Sequence, residues 1–309
     1  MTHRKTASIR IAPHCVALLA LAAGITASAA QPPAAAQAQP ATQIPPLNGI
    51  AHIAIRVQDI AASVAFYHKL GFDQAFAMTK GDVVTQSFIK LNDRQFIELY
   101  PTAAEGPPQN AKPGFLHLCF EGADLNPVHD YYVAEGLTPN PVRKAGAGNM
   151  LFTMKGPQQF SEPQNIEYTQ YMPGSLHSKD FGQHLGPDRV GDRMTVVALA
   201  MQDPASARTF YLAKLGFTPA PGNPARLILP GTSGQQVEIV PIDPLGARSS
   251  IILESSNLDK SAAQLTRQLV AFKRASTVTT NGSPAHPITI DMISVTDPDG
   301  NIIRIQSQP

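Results

Sequence analysis

Hydrophobic and polar positions alternate in short stretches of the chain, and each stretch is followed by a helix-like segment. Residues 50–57, IAHIAIRV, alternate as a β-strand does, and they lead through Gln-Asp into a helix bearing Phe-Tyr. The same succession recurs in residues 194–217, MTVVALAMQDPASARTFYLAKLGF. Asp59 and Asp203 suit helix N-capping, and Gly71 and Gly216 suit the left-handed residue that ends a helix. The chain therefore contains an internal repeat.

Each copy continues with shorter strand-like runs, which gives the order β-α-β-β-β. These runs are residues 83–91 and 95–100 in the first copy, and residues 226–229 and 235–241 in the third. A second copy runs from Phe115, through a helix near 126–134, to residues 165–171. A fourth runs from Ser250, through a helix near 258–272, to DPDGNIIRIQ at 297–306, in which Asp-Gly marks a turn. We predict an α+β protein of four βαβββ modules arranged as two pairs.

The N-terminus has the composition of a secretory signal peptide. It is basic at Arg4, Lys5 and Arg10, apolar over residues 16–25, and rich in small residues before residue 30. The apolar run is about half of the roughly twenty residues that span a bilayer, so we expect no membrane attachment after cleavage. We predict a periplasmic or secreted protein. The predicted segments are a signal peptide (1–30), a Pro/Ala/Gln-rich linker (31–48), a first domain (49–173), a connector (174–192) and a second domain (193–309).

The net charge and the number of cysteines argue against a nucleic-acid partner and against an intrachain disulfide. The net charge is +1 and 43% of residues are hydrophobic, so the chain has no bias toward polyanions, and nucleic acid is not expected as a partner. Cleavage of the signal peptide would remove Cys15 and leave Cys119 alone. No intrachain disulfide is then possible.

The repeat resembles the vicinal oxygen chelate superfamily, which includes glyoxalase I, extradiol dioxygenases and bleomycin resistance proteins. The resemblance covers residue 50 to the C-terminus and is strongest in HIAIRVQDIAASVAFYHKLGF and in DPDGN. It implies that two βαβββ modules pair into a curved-sheet domain whose concave face holds one divalent metal ion. Ligands would come from the first and last strands of each module.

In the first pair, those four positions hold His52, Glu98, His117 and Glu167. The set is similar to that of bacterial glyoxalase I and implies one Zn, Ni, Co, Fe or Mn ion with two positions open to neighbouring substrate oxygens. Strand alternation independently sets three of these residues away from the core side. It groups His52 with Ile50, Ala54 and Arg56, whereas the pattern around Glu167 is too polar to decide.

In the second pair, the equivalent positions are Val196, Glu238, Ser250 and Arg304. Three of them are unsuitable as ligands, so the second domain is expected to bind no metal.

Other residues receive roles by resemblance or by position. A ligating glutamate can serve as the catalytic base; Glu98 and Glu167 both qualify, and the resemblance favours Glu167. Arg56 is predicted to bind an anionic part of the substrate. His177 and His184 have two possible roles: they belong to a polar connector between domains, or they form part of a substrate lid or contact the metal ligands from behind. Cys119 is predicted to be a small hydrophobic residue in the wall of the cavity.

The function predicted from these features is that of a glyoxalase I-like lyase or isomerase. Its partner would be a small-molecule substrate with vicinal oxygens. One alternative is an extradiol-type dioxygenase that uses two His and one Glu around Fe(II). Another is a bleomycin resistance-like protein that binds a small molecule without chemistry. Tandem modules can complete a site within one chain, so the oligomeric state stays open.

Overall fold

We describe the protein from a computed structural model, in which the described residues are 44–102, 112–242, 250–279 and 288–307. The predicted signal peptide and the predicted linker up to residue 43 lie outside these ranges. The first strand begins at Leu47. No helix in the described part of the chain has the length and apolar character needed to cross a bilayer.

The first unit is an eight-stranded mixed sheet with two ten-residue helices. Its elements are β1 (Leu47–Val57), α1 (Ile60–Lys69), β2 (Gln74–Lys80), β3 (Val83–Lys90), β4 (Phe96–Pro101), β5 (Gly114–Gly122), α2 (Leu125–Ala134), β6 (Arg143–Lys144), β7 (Met150–Gln158) and β8 (Pro163–Gln170). The strand order is β2-β3-β4-β1-β5-β8-β7-β6. The first strands of the two modules, β1 and β5, therefore pair at the centre.

A short helix, α3 (Leu176–Lys179), lies in the connector, and the second unit repeats the first. Its elements are β9 (Arg193–Met201), α4 (Pro204–Ala213), β10 (Thr218–Pro219), β11 (Arg226–Ile228), β12 (Gln236–Pro241), β13 (Ser250–Ser255), α5 (Leu258–Arg267), β14 (Phe272–Thr279), β15 (Ile288–Thr296) and β16 (Ile302–Ser307). The strand order β10-β11-β12-β9-β13-β16-β15-β14 matches that of the first sheet. The predicted α+β fold of four βαβββ modules in two pairs is confirmed.

Helix ends follow the predicted signals, with one exception. The Asp59 side chain accepts hydrogen bonds from Ala61 N and Ala62 N, and Asp203 accepts one from Ser206 N. Gly71 and Gly216 adopt φ of +84° and +70°. The fourth helix was predicted to continue to about residue 272, and this is wrong. It ends at Arg267, because Leu269 takes a left-handed φ of +54° and β14 starts at Phe272.

One face of the first sheet packs on the helices and carries the apolar core, which includes Ile53, Ile55, Ile97, Leu99, Leu118 and Phe120. We call the opposite face, which carries His52, Ala54 and Glu98, the site face. The prediction that Ile50 shares the face of His52 is wrong, since Ile50 belongs to the core. The pairing of β1 with β5 shifts between Ile50 and His52, so strict alternation is broken there.

Two glutamines join the units at the starts of their central strands. The Gln95 Nε2 donates to the carbonyls of Ile50 and Met194 at 3.0 Å each, and its Oε1 accepts from Met194 N at 2.8 Å. The Gln235 Nε2 donates to Met194 O at 2.6 Å, and its Oε1 accepts from Ile50 N at 2.8 Å. Gln95 and Gln235 stand at equivalent places before β4 and β12, so the junction is reciprocal.

The tyrosines of the repeated Phe-Tyr pair also cross between units. Tyr67 on α1 donates to Asp297 Oδ2 of the second unit at 3.1 Å, and Tyr211 on α4 donates to Gln164 Oε1 of the first unit at 3.0 Å. Both bonds are buried. The repeat therefore encodes a junction between units as well as the fold of each module.

We predict that Gln95→Ala lowers the free energy of unfolding by about 1–3 kcal/mol, because it leaves the buried Met194 N–H without its partner. Gln74→Ala, at an exposed position on β2, is the matched control and should change stability by less than about 0.5 kcal/mol. Urea unfolding followed by circular dichroism measures both. Equal stability of the two variants would show that the Gln95 bonds do not hold the units together.

Candidate metal centre

The pairing of four adjacent strands brings the predicted ligands together on the site face. His52 pairs across β1 with Phe96 on β4 and Cys119 on β5. Ala54, two residues further along β1, pairs with Glu98 on β4 and with His117 on β5. Residues two apart on a strand share a face, so His52, Glu98 and His117 point to the same side. Glu167 on β8 pairs with Cys119 and joins them.

All four side chains converge, and we call them the quartet. The Nε2 atoms of His52 and His117 are 3.1 Å apart. The Nδ1 atom of His52 lies 3.3 Å from Glu98 Oε1, and its Nε2 atom lies 3.5 Å from Glu167 Oε1. The Nε2 atom of His117 lies 3.9 Å from Glu167 Oε2. The sequence prediction placed these residues around one point, and the structure brings them there.

Burial keeps the two imidazoles neutral. It lowers the pKa of His52 well below its usual value, and the neighbouring His117 and His177 lower it further. Burial also lowers the pKa of His117 to about 4. A neutral imidazole has a lone pair available for a metal ion at neutral pH, so both rings are prepared as ligands.

Burial has the opposite effect on the carboxyl groups. It raises the pKa of Glu98 well above its usual value, and the nearby charge of Glu167 raises it further. It raises the pKa of Glu167 to about 7, although the Cys119 thiol and Arg143 act in the other direction. The two carboxylates repel each other in a site without a cation, and a divalent ion would neutralise both.

These residues fit a divalent metal ion. Two buried ring nitrogens 3.1 Å apart, with two carboxylates beside them, form a cluster that is costly without a cation between the groups. Nitrogen and oxygen donors in equal number suit borderline ions such as Zn, Ni, Co, Fe or Mn. The quartet is thus a candidate metal centre in which each residue could hold the ion.

Glu98 has hydrogen-bond partners that the sequence analysis missed. Its Oε2 atom accepts from Gln86 Nε2 at 2.7 Å and from Tyr100 OH at 3.2 Å. Gln86 could have been found by alternation along β3, because it is two residues before Phe88, which pairs with Glu98. These two hydrogen bonds fix the orientation of the Glu98 carboxylate.

Arg56 lies at the end of β1, half-buried, beside Tyr100, with which it pairs across the sheet. Against β4, the alternation of β1 is unbroken, so Arg56 shares the site face with His52 and Ala54. It is therefore near the Glu98 side of the quartet. A role in anion binding stays a prediction.

The two connector histidines have different surroundings. His177 on α3 is buried, and its ring meets those of Phe76, Phe88 and Phe96 edge to face with centroids 4.8–5.2 Å apart. Its Nδ1 accepts a hydrogen bond from Asn149 Nδ2 at 2.9 Å, and burial lowers its pKa to about 4. Phe96 pairs with His52 and Phe88 with Glu98, so His177 lies over the site face beside the quartet.

His184 instead belongs to an ion network at the edge of the sheet. Its ring bonds to the carboxylate of Asp180, whose other oxygen accepts from the fully buried Lys90 at 2.8 Å. Lys90 also contacts Asp93 at 2.8 Å. The buried lysine and its two carboxylates hold the connector against the first unit. His184 therefore belongs to a network that supports the structure.

Strand pairing in the second unit selects the four positions that the sequence analysis chose. Ala198, two residues after Val196, pairs with both Glu238 and Ser250, as Ala54 pairs with Glu98 and His117. Ser250 pairs with Ile302, two residues before Arg304. Glu238 faces Arg226 at 3.6 Å. Within the described residues, no cluster of candidate metal donors occurs in this unit.

A cleft of about 470 Å³ opens between the units, away from the quartet. Its lining includes both junction glutamines, Arg94, Arg193 and Glu121. Arg94 pairs with Glu121 at 3.0 Å, and Arg193 lies 3.4 Å from Glu254. These charges are satisfied within the protein, so the quartet, and not this cleft, is the candidate site for chemistry.

Comparison with known proteins agrees with this architecture. A family model, the Glyoxalase/Bleomycin resistance protein/Dioxygenase superfamily, matches residues 49–167. The chain is similar to a Mn(II)-bound glyoxalase from Novosphingobium aromaticivorans, with a TM-score of 0.62 and 14% identity over 85% of this chain and 82% of that one. It is also similar to the 2,3-dioxygenase LapB from Pseudomonas sp. KL28, with a TM-score of 0.59 and 15% identity over 86% and 94%.

A third similar structure is a variant of homoprotocatechuate 2,3-dioxygenase from B. fuscum, with a TM-score of 0.59 and 16% identity over 87% and 74%. No curated protein sequence matches the chain. At these identities the structural likeness shows the fold and does not distinguish the two kinds of reaction.

We predict that the purified protein contains about one divalent ion per chain, and that His52→Ala and Glu167→Ala each lose it. His129→Ala, on α2 outside the quartet, is the matched control and should retain the ion. Elemental analysis, with circular dichroism to confirm folding, measures this. Folded protein without metal, in which the variants are unchanged, would favour a ligand-binding protein without metal chemistry.

Proposed function

We propose that this chain is a metal-dependent enzyme of the glyoxalase I type, because the model of the Glyoxalase/Bleomycin resistance protein/Dioxygenase superfamily matches residues 49–167. As a lyase or isomerase, it would move a proton between neighbouring atoms of a small substrate with vicinal oxygens. The observation that carries this proposal is the convergence of two neutral imidazoles and two carboxylates at one buried point. When bound, a divalent ion would act there as a Lewis acid on the substrate oxygens.

Glu167 is the proposed base. Its side chain is 14% exposed against 6% for that of Glu98, so it is the quartet carboxylate that a substrate proton reaches more easily. Its neighbour on the site face is Cys119, with which it pairs across β5 and β8. Glu98 is less free to move, because Gln86 and Tyr100 hold its Oε2 atom.

The buried surroundings would keep water from competing for the transferred proton. His52, Glu98 and His117 are each at most 5% exposed, and the rings of Phe88 and Phe96 are buried beside them. Electrostatic interactions are stronger in such a dry site than in water. The substrate therefore has to be small, or the connector has to open to admit it.

A second candidate function, extradiol-type ring cleavage, is favoured by one feature of the geometry. Glu98 faces the Nδ1 atom of His52, whereas the Nε2 atom faces His117 and Glu167. Through its Nε2 atoms, the histidine pair could hold an iron ion with Glu167 alone, which is the two-histidine, one-carboxylate set of non-haem iron oxygenases. Glu98 would then only orient His52.

Glu167→Gln should separate proton transfer from simple binding. We expect the turnover of 2-oxoaldehyde–thiol adducts by the metal-loaded protein to fall about 10²–10⁴-fold, because the amide cannot accept the proton. Proton NMR in deuterium oxide would follow both turnover and deuterium uptake. Glu162→Gln, at an exposed position before β8, is the matched control.

Oxygen consumption with catechols and Fe(II) tests the second candidate in the same variants. Ring cleavage that survives Glu98→Gln, without turnover of the oxoaldehyde adducts, would replace the lyase or isomerase proposal with the dioxygenase. Binding of these compounds without either reaction would contradict both enzyme proposals.

Arg56→Ala should raise the KM for substrates that carry a carboxylate by about tenfold, with a smaller effect on kcat. A hydrogen bond to a charged group contributes about 1.5 kcal/mol or more, which corresponds to about tenfold in affinity. Lys69→Ala, at the exposed end of α1, is the matched control, because it also removes one positive charge. An unchanged KM in Arg56→Ala would contradict the predicted role.

A further inference from the structure

Cys119, predicted from sequence to be a small hydrophobic wall of the cavity, lies between two members of the quartet, His52 and Glu167. It pairs with His52 on one side and with Glu167 on the other, so the three side chains form one row across β1, β5 and β8. The sulfur, a ring nitrogen of His52 and a carboxylate oxygen of Glu167 all lie within 4.8 Å of one another. Cys119 is fully buried and forms no disulfide within the described residues.

The candidate donors form two triads that share His52. One consists of His52, Glu98 and His117, and the other of His52, Cys119 and Glu167. The Nδ1 atom of His52 is buried and makes no hydrogen bond within the described residues. That atom lies 3.3 Å from Glu98 Oε1, and the Nε2 atom lies 3.5 Å from Glu167 Oε1, so the ring of His52 borders both triads.

Charge balance limits how sulfur could take part. A divalent ion is neutralised by two anionic ligands, and a thiolate added to both carboxylates would leave a net charge of −1 in a buried site. Sulfur would therefore replace one carboxylate, and the displaced carboxyl group would take up the proton that the thiol loses, so that the site stays neutral. Glu98 is the one that could give up the ion without moving, because its Oε2 atom keeps its neutral hydrogen bonds from Gln86 and Tyr100.

We propose that the centre has two alternative donor sets, and that Cys119 replaces Glu98 when the bound ion is thiophilic. Zn²⁺ and Co²⁺ are held by His52, His117, Glu167 and the sulfur of Cys119. Mn²⁺ is held by the nitrogen and oxygen atoms of the quartet. The reason is ligand softness, since thiolates select zinc-like ions and carboxylates suit manganese. This inference rests on the metal centre of the proposed function, but not on the reaction.

The test compares Cys119→Ser and Glu98→Gln with the unmodified protein for Co²⁺, Zn²⁺ and Mn²⁺. Loss of an outer contact costs about 10–100-fold in metal affinity, so loss of a donor should cost at least as much. We expect Cys119→Ser to weaken Co²⁺ and Zn²⁺ binding at least about tenfold and to leave Mn²⁺ binding nearly unchanged. Glu98→Gln should do the reverse. Competition with a chromophoric chelator measures these affinities.

Absorption spectroscopy gives a readout independent of activity and of affinity. The Co²⁺ form of the unmodified protein should show a near-ultraviolet sulfur-to-cobalt charge-transfer band, which Glu98→Gln keeps and Cys119→Ser lacks. Cys119→Ala serves as a second variant if serine disturbs folding, and thermal unfolding of the metal-free proteins checks this.

The outcomes distinguish this inference from the proposed function. A Co²⁺ form without the band, in which Cys119→Ser leaves all three affinities unchanged, would overturn the role of Cys119 while the metal centre stands. Failure of the unmodified protein to bind any of the three ions would instead contradict the metal centre itself.

Discussion

The structure depends on the position of β1 between a parallel partner and an antiparallel partner. Because β4 and β5 both pair with β1, residues far apart in the chain come to neighbouring positions on one face. His52, Glu98 and His117 are fixed in this way by backbone hydrogen bonds, and Glu167 is added by the pairing of β8 with β5. A shift of one residue in the register of any of these strand pairs would point a ligand side chain toward the core.

The same geometry creates an electrostatic problem that the sequence alone does not show. The sheet buries two acidic side chains beside two histidines and a cysteine, where desolvation raises the pKa values of the carboxyl groups and lowers those of the imidazoles. Each group is moved toward its neutral form. A cation at the centre would restore the charged carboxylates, so metal binding and the stability of this face are coupled.

The two units have kept their folding signals and their junction but differ in chemistry. Gln95 and Gln235 make reciprocal bonds across the junction, as do Tyr67 and Tyr211. Val196, Ser250 and Arg304 stand where the first unit has His52, His117 and Glu167. The second unit therefore supports the first through packing and carries no equivalent centre within its described residues.

Much of the fold and the quartet could be predicted from sequence, because both follow from local and repeated patterns. Alternation set His52, Glu98 and His117 away from the core, and caps such as Asp59 marked the helix starts. The face of Ile50 and the end of α5 at Arg267 could not be predicted, since a break in strand pairing and a left-handed Leu269 decide them. Only the tertiary structure showed that Cys119 lies between two ligands, that Gln86 and Tyr100 hold Glu98, and that His177 packs beside the site. These contacts join residues on different elements, and their distances depend on how the strands and the connector pack, which no local pattern encodes.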